Sequence, residues 1–418
     1  MFGTIEIIQN IIYFISLYYV VFWLLVLIDS EDIPRRKIKE WPSITIIIPA
    51  YNEEENIIKT IKSVESLDYP KDKISLIVVD DGSSDNTFSL SKEYCSKIKG
   101  FKDIVVMTQK NKGKYAAMNN ALKIVNTEYF ATLDADSFPK SNSLKKIISL
   151  FNSEDIAAVS PVLKVYRPRN YVQFVQWFEY SVNHFYKSVI TRLNAIHVTP
   201  GPLSVYRSDV IKKIGGFREA YKTEDMEIAM RIQKNNYRIV QCDDAFVYTK
   251  APYTIKSLYT QRLRWNYGTF KNLLDYRKMI LNKKYGDFGL FQLPIILISG
   301  ILGITIIFLI VYDFIKRMKP TFRMLELYNF NIIEYLANTK INIIWLDIDV
   351  RSVVTFLVFL VLTLIVIRFS MQIYREKYPF KRSFSFILYL MYYYIFLAIV
   401  WLGVFKEYLL GRDNKWKK

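Results

Sequence analysis

Histidine and cysteine are almost missing from this chain: His184, His197, Cys95 and Cys242 are the only ones in 418 residues. So few thiols exclude a disulfide framework and a cysteine-rich zinc site, and two histidines without a partner pattern leave no imidazole centre. His184 is read as structural and His197 is assigned no ligand role, so any metal must sit on carboxylates. With 14 Gly and 13 Pro, the chain is neither collagen-like nor low-complexity, and 51% hydrophobic residues against 23% charged exclude disorder. Acidic residues are also scarce, 39 against 57 Lys and Arg, which leaves a net charge of +18. A basic chain can bind nucleic acid, but the mean hydropathy is positive, the charge lies beside apolar runs, and no recognition module is present. The expected partner of that charge is a membrane surface, with no nucleic acid.

Long apolar runs are what the sequence does have. Ile11 to Ile28 reads IIYFISLYYVVFWLLVLI and is followed by Arg35, Arg36, Lys37 and Lys39. The first ten residues hold no Lys or Arg and no small-residue cleavage site follows, so the run is read as a retained membrane helix ending in the cytoplasm. Three further runs are Phe288 to Tyr312, Val353 to Ile367 (extensible to Ile373) and Phe384 to Phe405. If each crosses once, the chain ends outside. The tail Lys406 to Lys418 and the loop around Lys316, Arg317, Lys319 and Arg323 are basic and oppose that count. A re-entrant or tilted segment between Met324 and Trp345 would return the tail to the cytoplasm; both topologies stay open. The expected organisation is a membrane helix and basic flank (1–40), a soluble domain (41–250), interfacial amphipathic helices (251–285) and a C-terminal membrane region (286–418), in a multi-pass cell-membrane protein.

The soluble stretch contains SITIIIPA (43–50), ISLIVVDD (74–81), DIVVMTQ (103–109) and EYFATLDAD (128–136), alternating with helix-like segments from Glu53, Ser84 and Lys114. Strands and helices in that alternation form βαβ units, predicting an α/β, Rossmann-like fold with a mostly parallel sheet and ligands at the carboxyl ends of its strands.

Polar residues cluster at those ends. Asp80-Asp81-Gly82-Ser83 follows a buried run, where an ordinary helix cap on a glycine turn is the plain alternative. Asp134-Ala135-Asp136 ends the fourth predicted strand; on extended backbone, carboxylates two apart point the same way and suit one hard divalent cation, Mn²⁺ or Mg²⁺, on a diphosphate. A lone D-x-D is common on surfaces, and its position beside Asp80, Asp81 and Lys114 is what gives it weight. Thr223-Glu224-Asp225 precedes an amphipathic helix, with Thr capping as the plain alternative. Gln261-Arg262-Leu263-Arg264-Trp265 and the aromatic stretch Tyr171 to Ile190 look like interfacial helices, which would hold a site over a channel entrance.

Taken in order, PAYNEE, VVDDGSSD, NKGKYAAMN, LDADS, GPLSVYR (201–207), GGF (215–217), TED and QRLRW resemble the processive family-2 glycosyltransferases, the cellulose, chitin, hyaluronan and poly-N-acetylglucosamine synthases. The resemblance runs from about Ser43 to Phe270. It implies a GT-A fold, a nucleotide-sugar donor with UDP as the nucleotide, inversion at the anomeric carbon and a divalent metal. By that resemblance Tyr51, Glu53, Asp80 and Asp81 meet the nucleotide, Lys114 reaches the diphosphate, Asp134 takes the ribose and, with Asp136, the metal. Asp225, beside Glu224, is the general base; Gln261 and Arg264 grip the diphosphate; Trp265, with Gly201 and Pro202, receives the acceptor sugar. Thr249-Lys250-Ala251-Pro252 departs from the pattern, with Lys250 where many such enzymes have Glu. The partners implied are the donor, a growing glycan or lipid acceptor, and membrane lipids. A non-processive transferase acting on a lipid or polyprenyl phosphate is the rival enzyme. A non-catalytic transport or scaffold protein is the rival of another class.

Overall fold

The computed structural model describes residues 4–29, 33–338, 350–376 and 383–411. Its strands are β1 (Ile44–Ala50), β2 (Ile74–Asp80), β3 (Asp103–Thr108), β4 (Tyr129–Thr132), β5 (Ser137–Pro139), β6 (Ile156–Val165), β7 (Ser204–Arg207) and β8 (Arg238–Thr249). The helices of the first two-thirds of the chain are α1 (Thr4–Asp29), α2 (Ile57–Glu65), α3 (Thr87–Cys95), α4 (Lys114–Leu122), α5 (Ser143–Ile148), α6 (Tyr171–Arg192), α7 (Ser208–Lys213), α8 (Glu224–Lys234) and α9 (Ile255–Asp275).

All eight strands join one sheet in the order β3-β2-β1-β4-β7-β6-β8-β5. The β1, β2, β3 and β4 pairings are parallel, as the alternation of strands and helices predicts, while β7 and β5 run against their neighbours. Every residue of β1 and β2 is buried because helices cover both faces, and alternate side chains feed opposite cores. Ile44, Ile46 and Ile48 pack with α2 and α5, whereas Ile47 packs with α4 and α8. Register aligns Ala50 with Asp80 and Asp80 with Thr108, so the carboxyl ends of three strands form one edge.

Two local expectations need correction, and one plain alternative is refined. The fourth strand stops at Thr132, and Asp134 and Asp136 lie in the turn that leads to β5, where the Ser137 N–H donates to Asp134 O at 3.0 Å. They do not share one side of an extended strand. The plain alternative for Thr223 holds only in position: it stands at the N-cap of α8 without a side-chain cap bond, its hydroxyl donating to Ala220 O and accepting from Asn272 Nδ2. The helices expected from Glu53 and Ser84 begin at Ile57 and Thr87, after turns built on those residues.

Beyond α9 come α10 (Phe288–Leu327), α11 (Ile332–Asn338), α12 (Val350–Tyr374) and α13 (Ser383–Leu409), the last with a π-turn at Tyr389–Tyr393. Together with α1, the helices α10, α12 and α13 are the four long and apolar enough to cross a membrane among the described residues. The basic stretch at 316–323, expected as a loop, is helical and continues α10 through Pro320. Of the stretch 324–345, residues to 338 belong to α10, its terminal turn and α11; the remainder, like the tail beyond Gly411, lies outside the described residues.

The membrane helices are fastened to the soluble fold by specific polar contacts. Arg35, in the flank after α1, pairs with Asp244 at 2.6 Å. At the end of α12, Glu376 accepts from Trp177 Nε1 at 2.7 Å and pairs with buried Lys164 at 3.0 Å. Helix α6 is capped by Asn170 and largely buried between the sheet and α12 and α13, so it packs as core beneath the domain.

Candidate active site

The site is assembled at the sheet's carboxyl edge. Asp81 leaves β2 buried, and its carboxylate accepts from Gln109 Nε2 (2.8 Å), Lys112 N (3.0 Å) and Gly113 N (2.8 Å). Those bonds fix the loop that opens α4, where Gly113 has φ of 91°, a conformation that favours glycine. Asp80 accepts from Thr108 Oγ1 at 2.8 Å and from the Ser83 N–H. Both aspartates therefore hold loops together at this edge. Tyr51 and Glu53 follow β1 on the same edge; Glu53 donates its N–H to Thr87 Oγ1 and its carboxylate accepts from Asn56 Nδ2.

As first residue of α4, Lys114 sends Nζ to Asp134 Oδ1 at 2.6 Å and towards Glu224 Oε1 at 3.4 Å. Burial alone would lower the pKa of Lys114, but Asp134 and Glu224 outweigh it and hold the amine charged. The backbone of Gly201 covers this pair. A Cβ there would lie 2.5 Å from both Asp134 Oδ1 and Lys114 Nζ, so only glycine leaves the room. Thr132 Oγ1 donates to Gly201 O at 3.0 Å, and buried Pro202 follows it.

Asp136 accepts from Ser137 Oγ at 3.1 Å and has its pKa pushed up to about 6 by burial, then by the charges of Asp134 and Glu53. A buried carboxyl crowded by two others is a place where a hard cation is favoured, so the donor chemistry fits Mn²⁺ or Mg²⁺. No group of three or more metal-type side chains is assembled among the described residues, so a cation here would need further oxygens from a ligand.

Glu224 and Asp225 open α8, where the helix N-terminus favours negative charge. The Asp225 carbonyl accepts from Thr199 N and Oγ1, and its Oδ1 accepts from Met226 N at 2.9 Å. Burial and then Glu224 push the Asp225 pKa up to about 6, against the opposing pull of Lys114 and Arg264.

Helix α9 closes the site from below. Arg264 Nη1 donates to Lys222 O at 2.8 Å, gripping a loop in which Ala220, Tyr221 and Lys222 all have φ between 39° and 61°. Three consecutive non-glycine residues in that region are a strained segment beside the site. Gly268 lets α9 approach, since a Cβ there would collide with Thr223. Gln261 accepts from Arg262, and the Trp265 ring lies 4.2 Å from the Arg262 guanidinium.

Lys114, Asp134, Gly201, Glu224 and Asp225 thus meet in one place, with Arg264 close enough to act on Asp225. Gln261 and Trp265 turn to Arg262. Sequence reasoning passed over Arg262 and its partner Glu179, and also Lys187, whose pKa burial lowers to about 8 against the pull of Asp225. The signal available for Glu179 was a single acid within an aromatic helix. His184 accepts the Leu163 N–H and pairs with Gln241, and His197 contacts Gln292; burial lowers both to about 3.

Residues 45–215 match the protein family described as Glycosyl transferase family 2. The chain is similar to the beta-monoglucosyldiacylglycerol synthase of Trichormus variabilis, 27% identical over 59% of this chain and 53% of that protein. It is also similar to the poly-beta-1,6-N-acetyl-D-glucosamine synthase of Staphylococcus aureus, 29% identical over 66% of each. The matched region therefore spans roughly half to two-thirds of these relatives' length. Among solved structures, a mannosyltransferase from Pyrobaculum calidifontis in complex with GDP-Man and Mn²⁺ superposes with a TM-score of 0.56 at 22% identity, over 66% of this chain and 75% of that one. The sheet order, the clustered edge residues and these likenesses agree: residues 45–215 form a domain that matches glycosyl transferase family 2, with a GT-A fold, flanked by helices long and apolar enough to cross a membrane.

Proposed function

We propose that the protein is an inverting, processive membrane glycosyltransferase that extends a β-linked polysaccharide from a nucleotide-sugar, with UDP as the nucleotide, and passes the product through its own helices. The observation that carries this reading is the convergence of Lys114, Asp134, Glu224 and Asp225 at the carboxyl edge of the sheet, directly over the helix bearing Gln261, Arg264 and Trp265. Asp225 removes the proton from the acceptor hydroxyl as that oxygen attacks the anomeric carbon, and the nucleoside diphosphate leaves. Lys114 and Arg264 bind the diphosphate, Arg264 through its planar fork. Asp134 and Asp136 would hold a divalent cation, which when bound neutralises charge on the leaving diphosphate. Tyr51, Glu53, Asp80 and Asp81 shape the nucleotide end, and Gly201, Pro202 and Trp265 the acceptor end. An indole face suits the apolar C–H face of a pyranose. The catalytic domain is cytoplasmic in this reading, following the basic flank after α1.

The relative that makes glucosyldiacylglycerol supports a second reading, transfer of one sugar to a lipid. Incubating purified protein with Mn²⁺ or Mg²⁺ and a panel of radiolabelled UDP-sugars, then sizing the products, separates the two. Long polymer is expected; a single-sugar glycolipid would establish the second reading, and no transfer from any UDP-sugar would contradict the donor assignment.

A further inference from the structure

Among the described residues, four helices have the length and composition to cross a membrane, yet they meet the soluble domain in two different ways. On α12 the buried positions, Ile367, Ser370 and Tyr374, are confined to the end nearest the domain, while Val353 to Leu364 are exposed or half-buried. On α10, Leu293, Ile296 and Gly300 are buried near the domain and Leu309 further along, where the helix packs on α13, while most residues from Ile310 to Leu327 are exposed. The far ends of both helices, Val353 to Phe356 on α12 and Ile310 to Leu327 on α10, are thus largely exposed and stand clear of the soluble domain.

Helix α13 instead has buried positions spaced along its whole length, with exposed apolar residues between them. Ser385, Tyr389, Tyr393, Val400 and Val404 form a stripe of helical spacing that faces inward. Its first turns touch α6, through Phe384 on Tyr171 and Phe386 on Phe178. The rest runs side by side with α9. Tyr393 OH meets Arg262, Phe396 meets Tyr259, and Phe405 and Tyr408 meet Phe270. From Tyr259 to Lys271 and from Phe396 to Tyr408 the two helices keep pace for about 18 Å.

Helix α9 itself lies flat on the soluble domain. Leu258, near its start, packs with Val162 and Trp177; Leu273, near its end, packs with Met226 and Met230 of α8. A helix parallel to α9 over that distance cannot also leave the domain and cross a bilayer whose apolar core is about 30 Å thick.

We infer that α13 does not cross the membrane. It lies in the interface beneath α9, its inward stripe on the domain and its outward residues Phe384, Ile387, Met391 and Leu402 in the lipid of the leaflet nearest the domain. Lipid is the fitting occupant because this outer face is apolar and continuous with the roots of α10 and α12, where Gly300 of α10 abuts Trp401. The membrane is then crossed by α1, α10 and α12, and Leu409 ends on the same side as the catalytic domain. The basic positions Lys316, Lys319 and Arg323 lie beyond the α10 crossing whichever way α13 runs, so they do not discriminate between the alternatives.

Impermeant thiol labelling of the full chain tests this without requiring activity, so its outcome is independent of the proposed chemistry. Cys95 and Cys242 are both buried, which keeps the background low. Leu410→Cys should react in the same membrane orientation, intact cells or inverted vesicles, as Lys110→Cys in the soluble domain, and Leu327→Cys in the opposite one. Reaction of Leu410→Cys together with Leu327→Cys would overturn the inference. In proteoliposomes, fluorophores at Ile387, Met391 and Leu402 should all be quenched by lipids labelled near the headgroup. A graded series with the deepest position at mid-helix would mean a crossing helix and would also overturn it.

Discussion

Arg262 and Glu179, 83 residues apart, form a buried two-point ion pair that ties α9 to α6. The pair sits within the segment that also carries Gln261, Arg264 and Trp265, and Arg262 touches both Gln261 and the Trp265 ring. Its geometry makes Arg262 a positioning residue for that segment.

Glu179→Gln leaves a buried guanidinium without its counter-charge, a change that typically costs about 3–5 kcal/mol. The expected result is a clearly lowered unfolding temperature and reduced acceptor use, with nucleotide affinity retained. Thermal unfolding and calorimetry with UDP check it. An unchanged unfolding temperature would mean that the pair contributes no net stability.

Gly201→Ala inserts a methyl group where Asp134 and Lys114 already stand. Those side chains must separate, so donor affinity should fall while far-UV circular dichroism and the melting profile stay close to wild type. Unchanged donor affinity would detach Gly201 from the donor site.

Removal of divalent cations should abolish transfer, and Mn²⁺ or Mg²⁺ should restore it, because in the proposed mechanism Asp134 and Asp136 would supply the hard oxygen donors for the cation. Cys95→Ser and Cys242→Ser should leave that dependence unchanged. Full activity in excess EDTA would remove the metal from the account.

The pH profile follows from Asp225. A general base must be ionised, and this carboxyl, raised to about 6 by burial and Glu224, loses its proton as pH climbs through that value. At saturating metal, kcat should rise across that range and level off above it. A flat profile from pH 5 to pH 8 would argue against Asp225 as the base.

The parallel half of the sheet was legible because β1 and β2 are unbroken apolar runs, which only a sheet covered on both faces produces. Lys114, Asp134 and Asp225 were legible as polar residues next to such runs or opening a helix. What periodicity does not encode is the direction taken after a strand ends. Asp134 and Asp136 were expected on extended backbone and lie in a turn, because the chain reverses at Thr132 to begin β5. The antiparallel β7 and β5 are four and three residues long, too short to carry a periodic signal. Arg262 was hidden for another reason: its partner lies 83 residues away on α6. Nor does hydropathy distinguish α13 from a crossing helix, since a helix under the domain and one through the bilayer are equally apolar.

The most direct measurement of the central assignment compares Asp225→Asn with wild type in two assays on the same preparation. Asparagine keeps the size of the side chain and removes the base, so sugar transfer from the UDP-sugar should fall by about 100- to 10,000-fold. Affinity for UDP in the presence of metal, read by calorimetry, should remain, whereas Asp136→Asn should lose both. Transfer at the wild-type rate, or a loss of UDP affinity as large as that of Asp136→Asn, would contradict the account and put the general base elsewhere.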